Sequence, residues 1–71
     1  MEFQLILKFT EQFGGAVFYE EPGDRVIYEK DGRCYSLPEN YLDLINQSLA
    51  ENKNYLLDFG TAISYDPDVI Y

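Results

Sequence analysis

Apolar and polar positions form their clearest pattern between Gly15 and Leu37, in the stretch GAVFYEEPGDRVIYEKDGRCYSL. It contains three short runs rich in β-branched and aromatic residues, which fit the pleated, half-buried surface of a strand. Pro22-Gly23 and Asp31-Gly32 interrupt the runs. Proline sets the φ of a first turn position, glycine accepts a positive φ at the second, and Asp-Gly is a strong hairpin signal. The pattern therefore predicts two hairpins that share a strand.

Counting outward from two-residue turns predicts the register of this meander. The opposite pairs are Tyr19 with Val26, Val26 with Leu37, Glu20 with Arg25, and Glu29 with Cys34. Because side chains alternate between faces, one face is apolar and is the expected core: Val17, Tyr19, Val26, Tyr28, Tyr35 and Leu37. A slip of one residue would exchange the two faces.

The second face is expected to be an exposed binding surface. Its centre is formed by Phe18, Ile27, Cys34 and Ser36, and its rim by Glu20, Arg25 and Glu29. Burial of two carboxylates beside a single arginine would leave one charge uncompensated. We therefore expect Glu20→Lys combined with Glu29→Lys to leave stability nearly unchanged while abolishing binding.

The segment before the meander, residues 2–13, fits two patterns. Helical spacing places Leu5, Ile6, Phe9 and Phe13 opposite a polar side of Gln4, Lys8, Glu11 and Gln12. Strand alternation also fits, but it leaves Glu11 to Phe13 unexplained before Gly14-Gly15. A helix that ends at these glycines is the favoured interpretation.

The segment after the meander predicts a second helix. Ser36-Leu37-Pro38-Glu39 has the spacing of a capping box, and the helix is expected to continue to about Asn52. Its apolar stripe is Tyr41, Leu42, Ile45 and Leu49, and its water-facing residues are Asp43, Asn46, Gln47 and Glu51. Beyond Asn54, Tyr55 to Phe59 fits a strand or a short helix, and Ala62 to Tyr65 fits an edge strand that Asp66-Pro67-Asp68 would end.

These elements predict one α+β domain over residues 1–71. It consists of a three-stranded antiparallel β-meander with flanking helices, in the order αβββα, and the C-terminal segment is left open. The chain has no repeat, linker or low-complexity tract that would indicate a second domain.

Few kinds of chemistry are compatible with the composition. Histidine is absent, which removes catalytic triads and the commonest metal ligand. Cys34 has no second cysteine or histidine to activate it and is expected to be an apolar filler. A near-match to a calcium loop fails, because Ile27 and Pro38 occupy its first and last ligand positions. We expect no enzyme activity, no cofactor and no metal.

The lone cysteine, the lack of a signal stretch and the lack of a membrane-length apolar run predict a cytoplasmic location, in the host cytoplasm if the chain is viral. We expect neither membrane nor direct nucleic-acid binding.

Acidity is the strongest functional indication. Thirteen acidic against five basic residues leave a net charge of -8, which favours basic partners, although it also simply keeps a small protein soluble. Alternate residues of a strand lie about 6.6 Å apart, close to the roughly 7 Å between phosphates of one nucleic-acid strand. The candidate partner-binding residues lie around the two turns and near the C terminus: Glu20, Glu21, Asp24, Glu29, Asp31, Asp66 and Asp68.

In its order of elements, its Asp-Gly second turn and its acidity, the chain resembles the small phage-encoded anti-CRISPR proteins over about residues 3 to 52. Some of those proteins have the αβββα order and occupy the DNA-contacting surface of a Cas effector. The resemblance implies a non-enzymatic inhibitor that mimics DNA and binds a basic nucleic-acid-binding protein. The alternative is a small structural or regulatory subunit that binds a partner or itself through exposed aromatic residues.

Overall fold

A computed structural model describes residues 3–64 of the chain. The elements are α1 (Phe3–Phe13), β1 (Ala16–Glu20), β2 (Arg25–Lys30), β3 (Arg33–Ser36), α2 (Tyr41–Glu51), α3 (Tyr55–Phe59) and β4 (Thr61–Ile63). The strands form one antiparallel sheet in the order β1-β2-β3-β4. The predicted α+β class and meander are confirmed, and β4 adds a fourth strand beside β3.

The predicted register of both hairpins is confirmed. Tyr19 pairs with Val26, and Glu29 pairs with Cys34. Asp31 and Gly32 both have positive φ, 55° and 79°, as a two-residue hairpin turn requires. In the first turn a positive φ was predicted for Gly23, but it occurs at Asp24, where φ is 49°. Aspartate tolerates this conformation because its short polar side chain can form local hydrogen bonds.

The first helix matches the favoured interpretation of residues 2–13 over the region described. Ile6 and Phe9 are buried, while the predicted polar side is exposed. The helix ends where Gly14 and Gly15 take φ values of 83° and 82°. These left-handed conformations turn the chain into β1 at little steric cost.

The predicted capping box is wrong, and α2 begins at Tyr41. Ser36 is the last residue of β3, where it pairs with Ile27 and Thr61, and the Leu37 amide continues the ladder to the Val26 carbonyl at 2.9 Å. Residues 36 and 37 form the hydrogen bonds of a strand and not those of a helix cap. Pro38 to Asn40 then form a turn, and Asn40 precedes the helix without a side-chain cap.

The open alternatives beyond Asn54 resolve into a short helix followed by an edge strand. Asn54 caps α3, because its Oδ1 accepts from the amides of Leu56 and Leu57. Strand β4 covers the first two residues of the predicted Ala62–Tyr65 segment. Tyr65 and Asp66-Pro67-Asp68 lie outside the described residues.

The core lies between the helices and the predicted sheet face. Its buried members are Ile6, Phe9, Tyr28, Leu37, Leu44, Ile45 and Leu56. Phe9 meets Tyr28 edge to face at 5.4 Å between ring centroids, a geometry that adds to the burial itself. Tyr19 was expected in this core but is 50% exposed, since it lies near the end of the edge strand β1.

The second sheet face is not the open surface that the sequence predicted. Ile27, at its centre, has no exposed surface, and Cys34 and Glu20 are also buried. Ile27 lies on an inner strand between Phe18 on β1 and Ser36 on β3. The predicted register placed Ile27 correctly on the middle strand, but register does not determine whether a face of the sheet is covered.

The carboxyl ends of helices α1 and α2 lie beside each other. Gln12, in the last turn of α1, donates to Asn52 at the end of α2, with 2.6 Å between Nε2 and Oδ1. Lys30, at the end of β2, lies close to Gly14, the residue that follows α1. The negative ends of the two helix dipoles therefore lie on the side of the β2–β3 turn, where positive charge is favoured.

Candidate functional site

Most acidic side chains of the described region face water. Of the ten Asp and Glu residues between positions 3 and 64, eight are exposed, Glu29 is half-buried and Glu20 is buried. Three ion pairs occur in that region: Glu20 with Arg25, Asp31 with Lys30, and Asp58 with Lys53. Seven of the ten carboxylates therefore have no cation partner within residues 3–64.

The fold separates the acids that the sequence grouped together. Glu20, Glu21 and Asp24 lie at the β1–β2 turn, whereas Glu29 and Asp31 lie at or beside the β2–β3 turn. The six residues of β2 stand between the two turns, a distance of about 20 Å at 3.3 Å per residue. These residues do not form one acidic track, and Asp66 and Asp68 lie outside the described part of the chain.

Glu20 belongs to the framework of the first turn. Its carboxylate accepts two hydrogen bonds from Arg25, at 2.9 Å from both Nε and Nη2. The Arg25 hydrogen bond, aided by its charge and by the Gly23 amide, lowers the pKa of Glu20 despite burial, which acts in the opposite direction. A side chain at Gly23 would collide with this carboxylate. The expectation that Glu20 is an exposed acid is therefore wrong, and we now expect its replacement by lysine to destabilise the first turn.

The best candidate site is a groove at the end of the molecule that carries the β1–β2 turn. It lies between this turn and the turn before α2. The groove has a volume of about 270 Å³. Its lining is Tyr19, Asp24, Arg25, Val26, Leu37, Pro38, Glu39 and Tyr41. We call Glu21, Asp24 and Glu39, together with this groove, the acidic end.

One wall of the groove is held by a hydrogen bond. The Tyr19 hydroxyl donates to the Asp24 carboxylate, and this bond is the main reason that the pKa of Tyr19 is raised, with burial and the nearby carboxylates adding to it. The bond holds the Asp24 side chain against Tyr19 in the lining of the groove. Arg25 adds little net positive charge to the lining, because Glu20 binds its guanidinium.

A second groove shares Pro38 with the first and lies between α2 and α3. It has a volume of about 350 Å³, and its other lining residues are Asn40, Leu44, Gln47, Tyr55 and Phe59. Phe59 is 59% exposed and stacks on Tyr55 with 6.0 Å between ring centroids. Exposed aromatic rings are enriched at protein interfaces.

The opposite end of the molecule carries a different charge pattern. Lys30 and Arg33 are paired across the β2–β3 hairpin, and both line a groove of about 390 Å³ with Asp31, Tyr35 and Leu57. Lys30 is also close to Gly14, at the carboxyl end of α1, where a cation is favoured. The two ends therefore differ in charge, and the acidic end is the more negative.

Reactive groups are few in residues 3–64. Burial, together with the Glu29 charge, raises the pKa of the Cys34 thiol, which favours the unreactive form. No group of three or more potential metal ligands occurs in this part of the chain.

Sequence reasoning missed Glu39 and Phe59 as surface residues. Glu39 was assigned to a capping box, whereas the assignment of Tyr41 to the core stripe of α2 is confirmed, because Tyr41 is half-buried against the core while it also lines the groove. Pro38-Glu39-Asn40 directly after a strand is itself a turn signal, and it was available in the sequence. Phe59 carried no comparable signal, because its exposure depends on how α3 packs.

None of the helices in the described region is both long and apolar enough to cross a membrane. Comparisons with protein-family models, with curated proteins and with solved structures found no match to this chain.

Proposed function

We propose that this chain is a non-enzymatic protein inhibitor that binds a basic, nucleic-acid-binding surface of a larger protein through its acidic end. A nuclease, a polymerase, a repressor or a Cas-type effector carries such a surface. One observation supports the proposal above all others. Glu21, Asp24 and Glu39 are exposed and lack ion-pair partners among residues 3–64, and Asp24 and Glu39 line a groove that contains two tyrosines.

The charge of the whole chain supports the same partner class. A net charge of -8 attracts a basic surface over a distance and speeds encounter with it. The tyrosines beside the acidic residues provide contact area, which charge alone does not.

Helix α2 extends the acidic end with a row of polar side chains. Asp43, Gln47 and Glu51 are exposed and follow one another at four-residue intervals, about 6 Å apart along a helix. Only Asp43 and Glu51 in this row are charged, and eight residues separate them, about 12 Å along a helix. The row therefore does not reproduce the roughly 7 Å between successive phosphates, and its contribution is the exposed carboxylate of Asp43, close in sequence to Glu39 and Tyr41.

The test is capture followed by competition. The immobilised chain should retain a protein from its source cell, or from the host if the chain is viral, and the retained protein should lose nucleic-acid binding when the free chain is added. Glu21→Lys with Glu39→Lys should abolish both effects. Glu11→Lys with Asp58→Lys makes the same change in net charge away from the acidic end and should preserve them.

Two results would reject the proposal. One is a retained protein that binds nucleic acid equally well with and without the chain. The other is loss of capture in both charge-reversal variants, which would mean that total charge and not the acidic end is responsible.

Exposed apolar side chains support a second candidate, a structural or regulatory subunit. Phe3 is 74% exposed, and Leu7, one helical turn further along, is also exposed. Phe59 is exposed on α3, whereas Tyr19 is the only exposed tyrosine among those in residues 3–64. In that case Phe3→Ser with Phe59→Ser should weaken capture more than charge reversal does, and salt should have little effect.

A further inference from the structure

The groove at the acidic end has a floor and two walls that follow from strand register. Tyr19, Val26 and Leu37 are neighbours across β1, β2 and the end of β3, on the same face of the sheet. Val26 is the floor between the other two. Tyr19 and Asp24 form the wall on the β1 side, and Glu39 and Tyr41 belong to the wall on the side of Leu37 and Pro38.

Each wall therefore presents one tyrosine and one carboxylate. Asp24 is held by Tyr19, and Glu39 is exposed at the turn before α2. Neither Asp24 nor Glu39 has an ion-pair partner among residues 3–64, and Glu20 balances the charge of Arg25. The volume of about 270 Å³ is just below the range of about 300–1,000 Å³ of small-molecule pockets, and suits a single long side chain.

We infer that this groove binds one arginine side chain of the partner protein. The aliphatic part of the arginine would lie on Val26 and Leu37, as long charged side chains commonly do on apolar surfaces. Its planar guanidinium would lie between the rings of Tyr19 and Tyr41 and donate to the two carboxylates. Guanidinium groups stack on aromatic rings and pair with carboxylates better than ammonium groups do.

This inference rests on the proposed function, since it names the group that a basic partner would insert. Basic surfaces that recognise phosphate are rich in arginine. The groove would then position the chain on its partner, while the remaining acids of the acidic end would contribute mainly to the rate of encounter.

Amide chemical shifts measured by NMR during titration with a small probe test the inference without the partner. The probe is the blocked peptide Gly-Arg-Gly, and its control is the same peptide with citrulline, which has nearly the shape of arginine and no charge. Saturable shifts are expected at the amides of Asp24, Val26 and Tyr41 with the arginine peptide only.

A pair of matched variants locates the binding. Asp24→Asn with Glu39→Gln should weaken arginine binding about fivefold or more, from the loss of two exposed charge pairs. Asn is suited to the positive φ of residue 24. Asp31→Asn with Glu11→Gln makes the same charge change, with Asp31 at a similar φ in the other hairpin, and should leave binding unchanged.

Equal shifts with arginine and citrulline peptides, or equal weakening by both variant pairs, would overturn the inference. Its failure is separable from that of the proposed function. If the chain captures a nucleic-acid-binding partner but its groove does not bind the arginine peptide, only the groove assignment is rejected. Specific arginine binding without any such partner would reject the inhibitor function alone.

Discussion

Two glycines with nearly the same backbone conformation have very different surroundings. Gly15 and Gly32 have φ values of 82° and 79°. A Cβ at Gly15 would lie 2.5 Å from the Glu29 carbonyl oxygen and 2.7 Å from the Tyr28 ring, whereas at Gly32 it would meet nothing within 4 Å. Gly15 is needed for close packing as well as for conformation, and Gly32 for conformation alone.

This difference predicts unequal costs for the same substitution. Gly32→Ala should cost about 1–2 kcal/mol, the penalty of a left-handed alanine. Gly15→Ala should cost at least about 1 kcal/mol more, because the new methyl group also overlaps with backbone and ring. Urea unfolding of both variants measures the difference, and equal midpoints would contradict the packing argument.

The buried carboxylate of Glu20 predicts an acid-sensitive contribution to stability. Its pKa in the folded protein is lowered from the ordinary value of 4.5, mainly by the hydrogen bonds from Arg25. The stabilisation is therefore present above pH 4.5 and is lost as the pH falls through the lower folded value. Glu20→Gln should melt at a lower temperature than the natural protein at pH 7, and the two melting temperatures should converge in acid.

Glu29→Gln is the matched control for this experiment. Glu29 is half-buried on the same sheet face and makes no ion pair with residues 3–64. Its replacement should change the melting temperature little at any pH. A gap between Glu20→Gln and the natural protein that stays constant down to pH 2 would mean that the lost contribution is not electrostatic.

At the scale of elements, one polar network connects the end of α1 to the start of α3. The Tyr28 hydroxyl donates to the Gly14 carbonyl at 2.8 Å and accepts from Asn54 Nδ2 at 3.1 Å. The same Asn54 side chain caps α3 through its Oδ1. No buried side-chain nitrogen or oxygen in the described region lacks a hydrogen-bond partner. Loss of the Asn54 side chain would remove partners from the Tyr28 hydroxyl and from the first amides of α3.

Removal of this asparagine should therefore have two separable effects. Asn54→Ala should cost about 1–2 kcal/mol, since both the cap and the bond to Tyr28 are lost. Asn54→Asp keeps the capping acceptor but loses the amide donor, and should cost about half as much. Denaturant midpoints of the two variants check this, and a neutral Asn54→Ala would show that α3 does not depend on its cap.

At the scale of the whole molecule, charge should control how fast the chain finds its partner. The association rate with the captured partner should fall markedly between low and physiological salt, because ions screen long-range attraction. Stopped-flow or surface-binding kinetics at several salt concentrations measure it. A salt-independent rate would favour the alternative function, in which the chain is a structural or regulatory subunit that binds through Phe3 and Phe59.

Local patterns were sufficient for most of the fold. The meander, its register and the first helix follow from residue alternation, turn dipeptides and helical spacing, which involve neighbours in the chain. The start of α2 was misplaced because Ser36 satisfies two local patterns, a cap and a strand. The choice between them depends on hydrogen bonds to β2 and β4, whose partners are distant in sequence.

The candidate site was only partly predictable for the same reason. Glu21 and Asp24 were correctly placed in an exposed turn, but their grouping with Glu29 and Asp31 assumed that nearness in sequence means nearness in space. A strand six residues long separates the two turns. Glu39 joins Asp24 in one groove only because the end of β3 lies beside the start of β2.

The sequence by itself determined the acidity, the absence of histidine, the class of fold and the pairing of β1, β2 and β3, because composition, alternation and turn geometry are properties of the chain alone. Tertiary structure decided that Glu20 is buried against Arg25, that the acids divide between two ends, and that two turns enclose a groove with a tyrosine and a carboxylate on each wall. Burial and charge proximity depend on which elements pack together, and for that reason the acidic end appears only in the folded protein.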